Sequence, residues 1–289
     1  MNGFFFIDKP AGPTSFDVVR QVRRACGEKT GHSGTLDPQA SGLLICAVGD
    51  ATRLLPCLPA EPKRYLFGVQ FGSETDTLDS EGSVVSEGGR VPLEEEVRAA
   101  LPKFIGRVTQ TPPRFSAVRV AGERAYDLAR QRRTFELKER TVTISSLSLV
   151  KFDAPKASLD VTCSGGTYVR SLARDIAKEL GTLAFASFIR RLAIGPFSVD
   201  NAVAPAVAAQ DPSAHMAPVA KALASVPSVV LGPVQLETVA MGKDITIDKS
   251  DDLVIAYNGE GDVAAVLRKS EGKYHPDKVF VKQVEELSG

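Results

Sequence analysis

The feature that most constrains the fold is a glycine-rich segment, residues 31–42 (GHSGTLDPQASG), followed directly by the apolar run 43–49 (LLICAVG). The apolar run predicts a buried strand. Because three glycines and a proline precede it, we expect a tight turn held against the core. Asp37 is the acid of this turn, so it either caps the turn or presents a reactive carboxylate beside the core.

The composition is that of an ordinary globular chain, and the net charge gives no sign of a charged partner. Among 289 residues, 35 basic and 35 acidic side chains balance, so a nucleic acid would have to be bound by a local patch. The four cysteines form no Cys-x-x-Cys pair and the three histidines are scattered, so we expect reduced thiols and no metal site. The apolar run 4–7 is too short for a signal peptide, and no later run is long enough to span a membrane. We therefore expect a cytoplasmic protein.

Residues 106–140 have a clear excess of positive charge. They contain nine basic residues against four acidic ones, with aromatic residues at positions 115, 126 and 135. Such a mixture can neutralise phosphates and pack against sugars or bases. A solvated, charged helical hairpin has the same composition, so the residues alone leave both interpretations open.

Three further segments are candidates for parts of a functional site. The β-rich run 63–72 (KRYLFGVQFG) predicts a strand that carries Tyr65, which by itself is typical of a half-buried strand tyrosine. Two glycines lead into a helix with Arg170 in its first turn, where the helix dipole disfavours a cation, so we expect a charge partner. The acidic run 73–82 (SETDTLDSEG) lacks the spacing of a calcium loop, so no metal is predicted there.

Six segments together resemble the motifs of one known family. They are the runs 8–15 (DKPAGPTS), 31–42, 63–65 (KRY), 112–130, 166–170 (GTYVR) and 188–197 (FIRRLAIGPF). These segments resemble the TruB family of pseudouridine synthases. The resemblance covers residues 3–200 well and the tail loosely.

The resemblance implies a mixed α+β pseudouridine synthase fold, with a mostly antiparallel central sheet and flanking helices. We expect a catalytic domain at residues 1–226, with an RNA-binding thumb inserted at about 106–140. From residue 228 the composition shifts toward β, and an Asn-Gly turn at 258–259 predicts a hairpin. We therefore expect a small C-terminal, PUA-like β domain at 227–289.

The resemblance also implies an activity, the isomerisation of uridine to pseudouridine in RNA, with the T-loop uridine at position 55 of tRNA as the expected target. The N-glycosidic bond must break and the uracil must rejoin through C5, which needs no cofactor, and the base must be flipped into a pocket. The family assigns the nucleophile to Asp37, which either attacks C1′ or removes a sugar proton. It pairs Arg170 with Asp37 and places Tyr65 against the uracil, as a candidate acceptor of the C5 proton.

Further residues are expected, by resemblance, to hold the RNA or the active-site loop. His32 is expected to pack against the RNA near the flipped nucleotide, and Leu192 below the base pocket. Lys9, for which a surface salt bridge is the alternative, is expected to support the active-site loop. The expected RNA-binding arginines of the thumb are Arg114, Arg119, Arg130, Arg132 and Arg133. For Arg190 and Arg191, either RNA or a core carboxylate is the expected partner.

Three other functions remain as alternatives. The first is a non-catalytic RNA-binding or tRNA-folding module, against which the combination of Asp37, Tyr65 and Arg170 argues. The second is a guide-dependent synthase of the H/ACA type, which works with protein and RNA partners. The third is a carboxylate hydrolase, which needs a second positioned acid that only the run 76–81 offers. We expect a stand-alone, monomeric enzyme that acts on the T-arm of tRNA without cofactor, metal or obligate protein partner.

Overall fold

The computed structural model describes residues 1–116, 118–120, 122–131 and 133–280, and it shows an α+β chain built around one large sheet. The strands are, in chain order, β1 (Gly3–Lys9), β2 (Thr30–Ser33), β3 (Ser41–Val48), β4 (Lys63–Phe71), β5 (Ser73–Thr75), β6 (Val84–Glu87), β7 (Gly106–Gln110), β8 (Arg119–Val120), β9 (Glu123–Arg124), β10 (Arg140–Asp153), β11 (Lys156–Cys163), β12 (Ala184–Ile194), β13 (Phe197–Ser198), β14 (Ser228–Val230), β15 (Leu253–Tyr257), β16 (Val263–Ser270) and β17 (Lys273–Val279). The helices are α1 (Ser15–Cys26), α2 (Glu94–Ala100), α3 (Ala125–Arg130), α4 (Val169–Glu179), α5 (Pro205–Gln210), α6 (Pro212–His215), α7 (Val219–Ala222) and α8 (Pro233–Ala240). Short 3₁₀ helices cover Gly49–Cys57, Leu101–Phe104 and Val199–Asn201.

The large sheet is mostly antiparallel. Its strands follow the order β1–β3–β12–β4–β11–β10–β7, with β2 paired to β3 and β13 paired to β12. A short parallel contact joins β3 to β12, where Ser41 faces Arg190 and Gly42 faces Arg191. The expected mixed α+β fold with a mostly antiparallel central sheet is therefore confirmed.

Strand β3 explains why the apolar run after the Asp37 turn shows no alternation. Leu43 and Ile45 pack into one hydrophobic cluster, whereas Leu44 and Cys46 pack into another. Successive side chains of a strand point to opposite faces of the sheet. Both faces of β3 are covered, so the Asp37 turn is attached to a strand that is buried on both sides.

Helix α1 is defined by local sequence signals, because both of its ends are capped. Thr14 and Asp17 exchange hydrogen bonds in a capping box, and Gly27 ends the helix in a left-handed conformation with φ 68°. The valines at positions 18, 19 and 22 form the buried face. The helix holds Ser15 against the Asp37 turn, as described below.

Two segments differ from their sequence patterns. Residues 84–91 look like an exposed polar turn, but Val84–Glu87 forms β6, which pairs with β5 in an exposed two-stranded hairpin. Residues 201–227 look like one helix and a linker, but they contain the three short helices α5, α6 and α7. In both segments the side chains are mostly exposed, so hydrophobic periodicity carries little information.

The C-terminal region forms a second sheet with the order β14–β15–β16–β17. The hairpin predicted from Asn258-Gly259 is present, and the Asn258 side chain accepts hydrogen bonds from the N–H groups of Glu260 and Asp262. Ile255 and Val266 of this sheet share a hydrophobic cluster with the large sheet. Residues 281–289 of the expected C-terminal domain lie outside the described residues. In the described part of the chain, no helix has the length and apolarity needed to cross a membrane.

Candidate active site

The loop that carries Asp37 is held through its backbone. The Leu36 N–H donates to Ser15 Oγ at 2.9 Å, and Ser15 Oγ donates to the Leu36 carbonyl at 3.0 Å. The Pro38 carbonyl accepts from the Gly12 N–H at 2.8 Å and from Lys9 Nζ at 3.0 Å. A reactive group held in this way can stay in one geometry without reorganising.

Lys9 supports this loop from inside the protein. Its side chain is fully buried, and its ammonium donates to the carbonyls of Pro10, Pro13 and Pro38. Burial lowers the pKa of Lys9 to about 8, although the negative charge of Asp37 acts in the opposite direction. The alternative of a surface salt bridge is wrong, because the side chain has no exposed surface.

Arg170 joins three separate segments at one guanidinium, which has 5% of its side chain exposed. Its Nη2 lies 2.9 Å from Asp37 Oδ2 and donates to the Phe115 carbonyl at 2.9 Å. Its Nη1 lies 3.2 Å from Asp79 Oδ2 and donates to the Thr77 carbonyl at 2.9 Å. Asp37 and Asp79 are thus the charge partners that a cation in the first turn of α4 requires.

The acidic run 73–82 supplies the second of these carboxylates. Leu78 has a left-handed backbone with φ 61°, a conformation that costs a bulky residue about 1–3 kcal/mol. The turn lets Asp79 Oδ1 accept from Thr77 Oγ1 at 2.6 Å and from the Glu81 N–H at 3.1 Å, while Oδ2 meets Arg170. Among the described residues, no three His, Cys, Asp or Glu side chains are grouped to hold a metal ion.

A cleft of about 810 Å³ opens over Asp37. Its volume is in the range of ligand-binding clefts. Asp37 keeps 41% of its side chain exposed there, in contrast to the buried Arg170 and Asp79. His32 lines the same cleft, so the structure brings the expected nucleophile, its cationic partner and the expected RNA-contacting histidine together.

A smaller cavity of about 120 Å³ adjoins the cleft at Asp37 and Arg170. Tyr65 lines it from β4, together with Tyr168 and Ile189. Burial raises the pKa of the Tyr65 hydroxyl, while the Arg191 guanidinium beside it acts in the opposite direction. The phenol is therefore neutral at physiological pH and lies next to the cleft that holds Asp37.

Three residues that line the cleft each have a buried polar atom without a hydrogen-bond partner among the described residues. The atoms are His32 Nδ1, Gln39 Oε1 and Ser116 Oγ. Burial and the nearby Arg191 lower the pKa of His32, so its ring is neutral. Buried polar atoms are normally paired, so these three atoms are unsatisfied polar groups beside the cleft.

The thumb arginines divide into two groups. Arg119 and Arg130 line the cleft, together with Arg124, and Arg124 and Arg130 both lie against the ring of Tyr126. These cations face the same space as Asp37.

The other thumb arginines make contacts within the thumb. Arg114 lies over the ring of Phe135 and donates to the Arg133 carbonyl, and Arg133 pairs with Glu123 at 2.9 Å. Neither is among the residues that line the cleft. Arg132 lies outside the described residues.

Leu192 is not brought to the cavity. It packs against the hydrophobic cluster that contains Phe4 and Leu43, while Ile189 of the same strand lines the cavity together with Tyr65. Strand β12 has a register shift between Arg191 and Ala193, which changes the face that each side chain of this motif presents.

The two neighbouring arginines of β12 have different partners. Arg190 forms a bidentate pair with Asp8, at 2.9 and 2.8 Å. For Arg191, neither expected partner is right, because it is 1% exposed and donates to the carbonyls of Gly34, Thr35 and Leu43.

Sequence reasoning missed four residues of this site, Asp79, Arg124, Tyr168 and Ile189, and it expected the wrong partners for Arg191. The sequence shows that Asp79 lies in an acidic run, but it does not show that Arg170 is its partner. Tyr168 directly precedes the helix that carries Arg170, and this position is its signal. No sequence signal places Arg191 against the Asp37 loop.

Comparison with known proteins gives the family. Residues 22–169 match the model of the TruB family pseudouridylate synthase (N terminal domain). The tRNA pseudouridine synthase B of Chelativorans sp. (strain BNC1) is 37% identical over 97% of this chain and 96% of that protein, and that of Caulobacter vibrioides is 38% identical with the same coverage. A solved Cbf5-Nop10-Gar1 complex contains a chain that matches with a TM-score of 0.73 at 25% identity, over 97% of this chain and 85% of that one. The chain therefore belongs to the TruB family of pseudouridine synthases.

Proposed function

We propose that this chain isomerises uridine to pseudouridine in tRNA, at the T-loop uridine of position 55. The observation that supports this best is the placement of Asp37, half-exposed in a cleft and 2.9 Å from the buried Arg170, with Tyr65 in the adjoining cavity. The tRNA substrate is taken from the named relatives, which are tRNA pseudouridine synthases.

Asp37 acts on the sugar of the flipped nucleotide by one of two routes. In the first, its carboxylate bonds to C1′ as the N1–C1′ bond breaks, and uracil leaves with the electron pair. Uracil then turns, its C5 attacks C1′, and the carboxylate leaves. In the second, Asp37 takes the C2′ proton as uracil leaves, and the proton returns to C2′ after C5 has joined C1′. In both routes Arg170 holds the carboxylate in position, because the 2.9 Å ion pair fixes one of its oxygens.

Tyr65 holds the uracil in the cavity that adjoins Asp37. Its ring provides a stacking surface, which offsets part of the cost of taking the base out of the helix. Rejoining through C5 leaves one proton in excess at C5 and leaves N1 unprotonated. The neutral Tyr65 hydroxyl acts as a relay, directly or through a neighbour: its oxygen accepts the C5 proton as its own proton passes to solvent, and N1 takes up a proton from solvent.

The cleft binds RNA through the thumb and through its polar lining. Arg119, Arg124 and Arg130 neutralise phosphates, and Tyr126 between them offers a surface for a sugar or base. His32 packs beside the flipped nucleotide, where its neutral ring avoids charge repulsion with the arginines.

The chain works as a cytoplasmic monomer with two parts, a catalytic domain at 1–226 and a smaller C-terminal domain at 227–289. The second sheet begins at Ser228, which supports this boundary, and it packs against the large sheet through Ile255 and Val266. We assign the C-terminal domain a supporting role in tRNA affinity.

The test is tritium release from an unmodified tRNA transcript that carries uridine labelled at C5. The wild type is expected to release tritium from position 55, and Asp37→Asn is expected to release none while still binding tRNA. Asp153→Asn is the matched control, because Asp153 is 78% exposed and is not among the residues that line the cleft. Full activity of Asp37→Asn would refute its role, and Tyr65→Phe is expected to lose turnover more than tRNA affinity.

Two further outcomes separate the remaining alternatives. A primary isotope effect with tRNA deuterated at C2′ favours proton removal by Asp37, and its absence favours attack on C1′. Turnover on the bare transcript is expected without added factors. Turnover only after a guide RNA and partner proteins are supplied would instead indicate a guide-dependent synthase.

A further inference from the structure

Arg191 carries a positive charge in the protein interior, where burying a charge is destabilising. It is the largest of the fully buried side chains of the described residues, at 1% exposure. Within this part of the chain its guanidinium forms no ion pair with a carboxylate, unlike Arg170 and its own neighbour Arg190. Removing an unpaired charge from water is costly, so its contacts have to compensate.

The first set of contacts holds the loop on both sides of Asp37. Nη2 donates to the Gly34 carbonyl at 3.0 Å, and Nη1 donates to the Thr35 carbonyl at 3.4 Å. Nε donates to the Leu43 carbonyl at 2.8 Å. A guanidinium presents several N–H donors in a rigid plane, so its hydrogen bonds to two chain segments have fixed relative directions, whereas the donors of an ammonium group rotate freely.

The second contact is with Tyr65. Arg191 and Tyr65 stand directly opposite each other in the antiparallel pair of β12 and β4. Opposite residues of such a pair have side chains about 4.5–5.5 Å apart at Cβ. The backbone of Arg191 is fixed as well, because it faces Gly42 so closely that a Cβ at Gly42 would lie 2.2 Å from the Arg191 carbonyl oxygen.

We propose that Arg191 is a positioning residue that fixes Asp37 and Tyr65 relative to each other, so that the sugar and the base of a bound uridine are aligned with both. This inference rests on the proposed function. Arg170 contacts the Asp37 side chain itself, whereas Arg191 acts on Asp37 through the backbone and on Tyr65 across the sheet.

Titratable groups on several elements influence the pKa of Tyr65. Arg191 of β12 favours the phenolate, whereas the Asp37 carboxylate and the buried Cys163 of β11 disfavour it. Burial raises the pKa of the Cys163 thiol, which keeps it neutral. Lys63 of β4 lies near Arg191, and burial together with Arg191 lowers the pKa of Lys63. Loss of the Arg191 charge is therefore expected to raise the pKa of Tyr65 further.

The test compares Arg191→Lys and Arg191→Gln with the matched control Arg190→Gln, which changes the next residue of the same strand. A displacement of about 1 Å in a reacting group lowers turnover by about a hundredfold, so kcat of both Arg191 variants is expected to fall roughly 10- to 100-fold. The KM and Kd for tRNA are expected to stay near the wild-type values, and Arg190→Gln is expected to keep both kcat and KM. A wild-type kcat in Arg191→Gln would overturn the inference, and so would an equal loss of kcat and tRNA affinity.

A spectroscopic measurement separates positioning from a merely structural role. The chain has five tyrosines, and the near-ultraviolet titration of each protein minus that of its Tyr65→Phe counterpart isolates one phenol. The pKa of Tyr65 is expected to rise in Arg191→Gln and to stay unchanged in Arg190→Gln. An unchanged pKa in Arg191→Gln would remove the link to Tyr65.

A second measurement needs no change at Arg191 and decides the matter if its variants do not fold. In the otherwise intact protein, Tyr65→Phe is expected to shift the NMR signal of the Arg191 Nε–H and to leave that of Arg190 in place. An Arg191 signal that does not move would overturn the inference. If the wild type forms no pseudouridine, the proposed function fails, while the titration and the NMR signal still decide whether Arg191 and Tyr65 are coupled.

Discussion

Arg170 pairs with Asp79 at 3.2 Å in a place where the side chains of both residues are at most 7% exposed. Removing one partner of a buried pair leaves the other charge uncompensated. Arg170→Met is therefore expected to lower the free energy of unfolding by about 3–5 kcal/mol, measured by urea denaturation. The double variant Arg170→Met/Asp79→Asn is expected to recover part of this loss, because it no longer buries an unpaired carboxylate. A loss below about 1 kcal/mol in the single variant, a value typical of exposed pairs, would contradict the importance of the pair.

Gly42→Ala tests the close contact between β3 and β12. A Cβ at Gly42 would lie 2.2 Å from the Arg191 carbonyl oxygen, and Gly42 has φ 103°. Gly12→Ala is the matched control, because Gly12 has φ 108° but no atom within 4 Å of the added Cβ. Backbone strain alone is expected to cost about 1–3 kcal/mol in both variants, and the clash is expected to cost roughly 1–3 kcal/mol more in Gly42→Ala. Equal unfolding free energies for the two variants would show that the strands can move apart.

His32 is expected to make stability depend on pH in the acidic range. Its pKa is lowered from 6.5 in the folded protein, first by burial and then by the Arg191 charge. As the pH falls below 6.5, the unfolded chain takes up a proton that the folded protein resists, so stability is lost. The loss is at most about 1.4 kcal/mol for each pH unit down to the folded pKa.

The variant His32→Gln removes this effect. Its free energy of unfolding, relative to that of the wild type, is expected to rise as the pH is lowered and to be constant above neutral pH. Urea denaturation across this range measures the difference. A difference that does not change with pH would show that His32 titrates alike in both states.

Cys46 is expected to be unreactive in the folded protein. It is fully buried, and burial raises the pKa of its thiol to about 12, whereas Cys26 at the end of α1 is partly exposed. Since the thiolate is the reactive form, a disulfide reagent is expected to modify Cys26 first and Cys46 only after unfolding. Cys26→Ser is expected to lose the fast phase. Modification of Cys46 at the rate of Cys26 would mean that β3 opens readily.

The sequence predicts the parts of the fold that local rules decide. The buried strand after Asp37, the capped helix ending at Gly27 and the Asn258-Gly259 hairpin all follow from patterns within a few residues. The candidate site follows from the family resemblance, which predicts the residues that have recognisable motifs around them, such as Asp37 and Arg170.

The remaining site residues depend on contacts between distant segments. Asp79 is aimed at Arg170 by a left-handed turn at Leu78, a residue type that gives no turn signal. Arg191 binds carbonyl groups, which every residue has, so no side chain of its partners marks the contact. A register shift in β12 also lies at Leu192, whose side chain packs into a hydrophobic cluster and not, as its motif predicts, below the base pocket.

The thumb leaves the large sheet after Gln110 and returns at Arg140, and these two residues face each other across β7 and β10. A segment that starts and ends on one rung of a ladder can be shortened, lengthened or exchanged without breaking the sheet. The thumb also contacts the reaction centre through its backbone, because the Phe115 carbonyl accepts a hydrogen bond from Arg170. Changes in the thumb can therefore alter which folded RNAs such a protein binds while the catalytic residues outside the thumb stay in place.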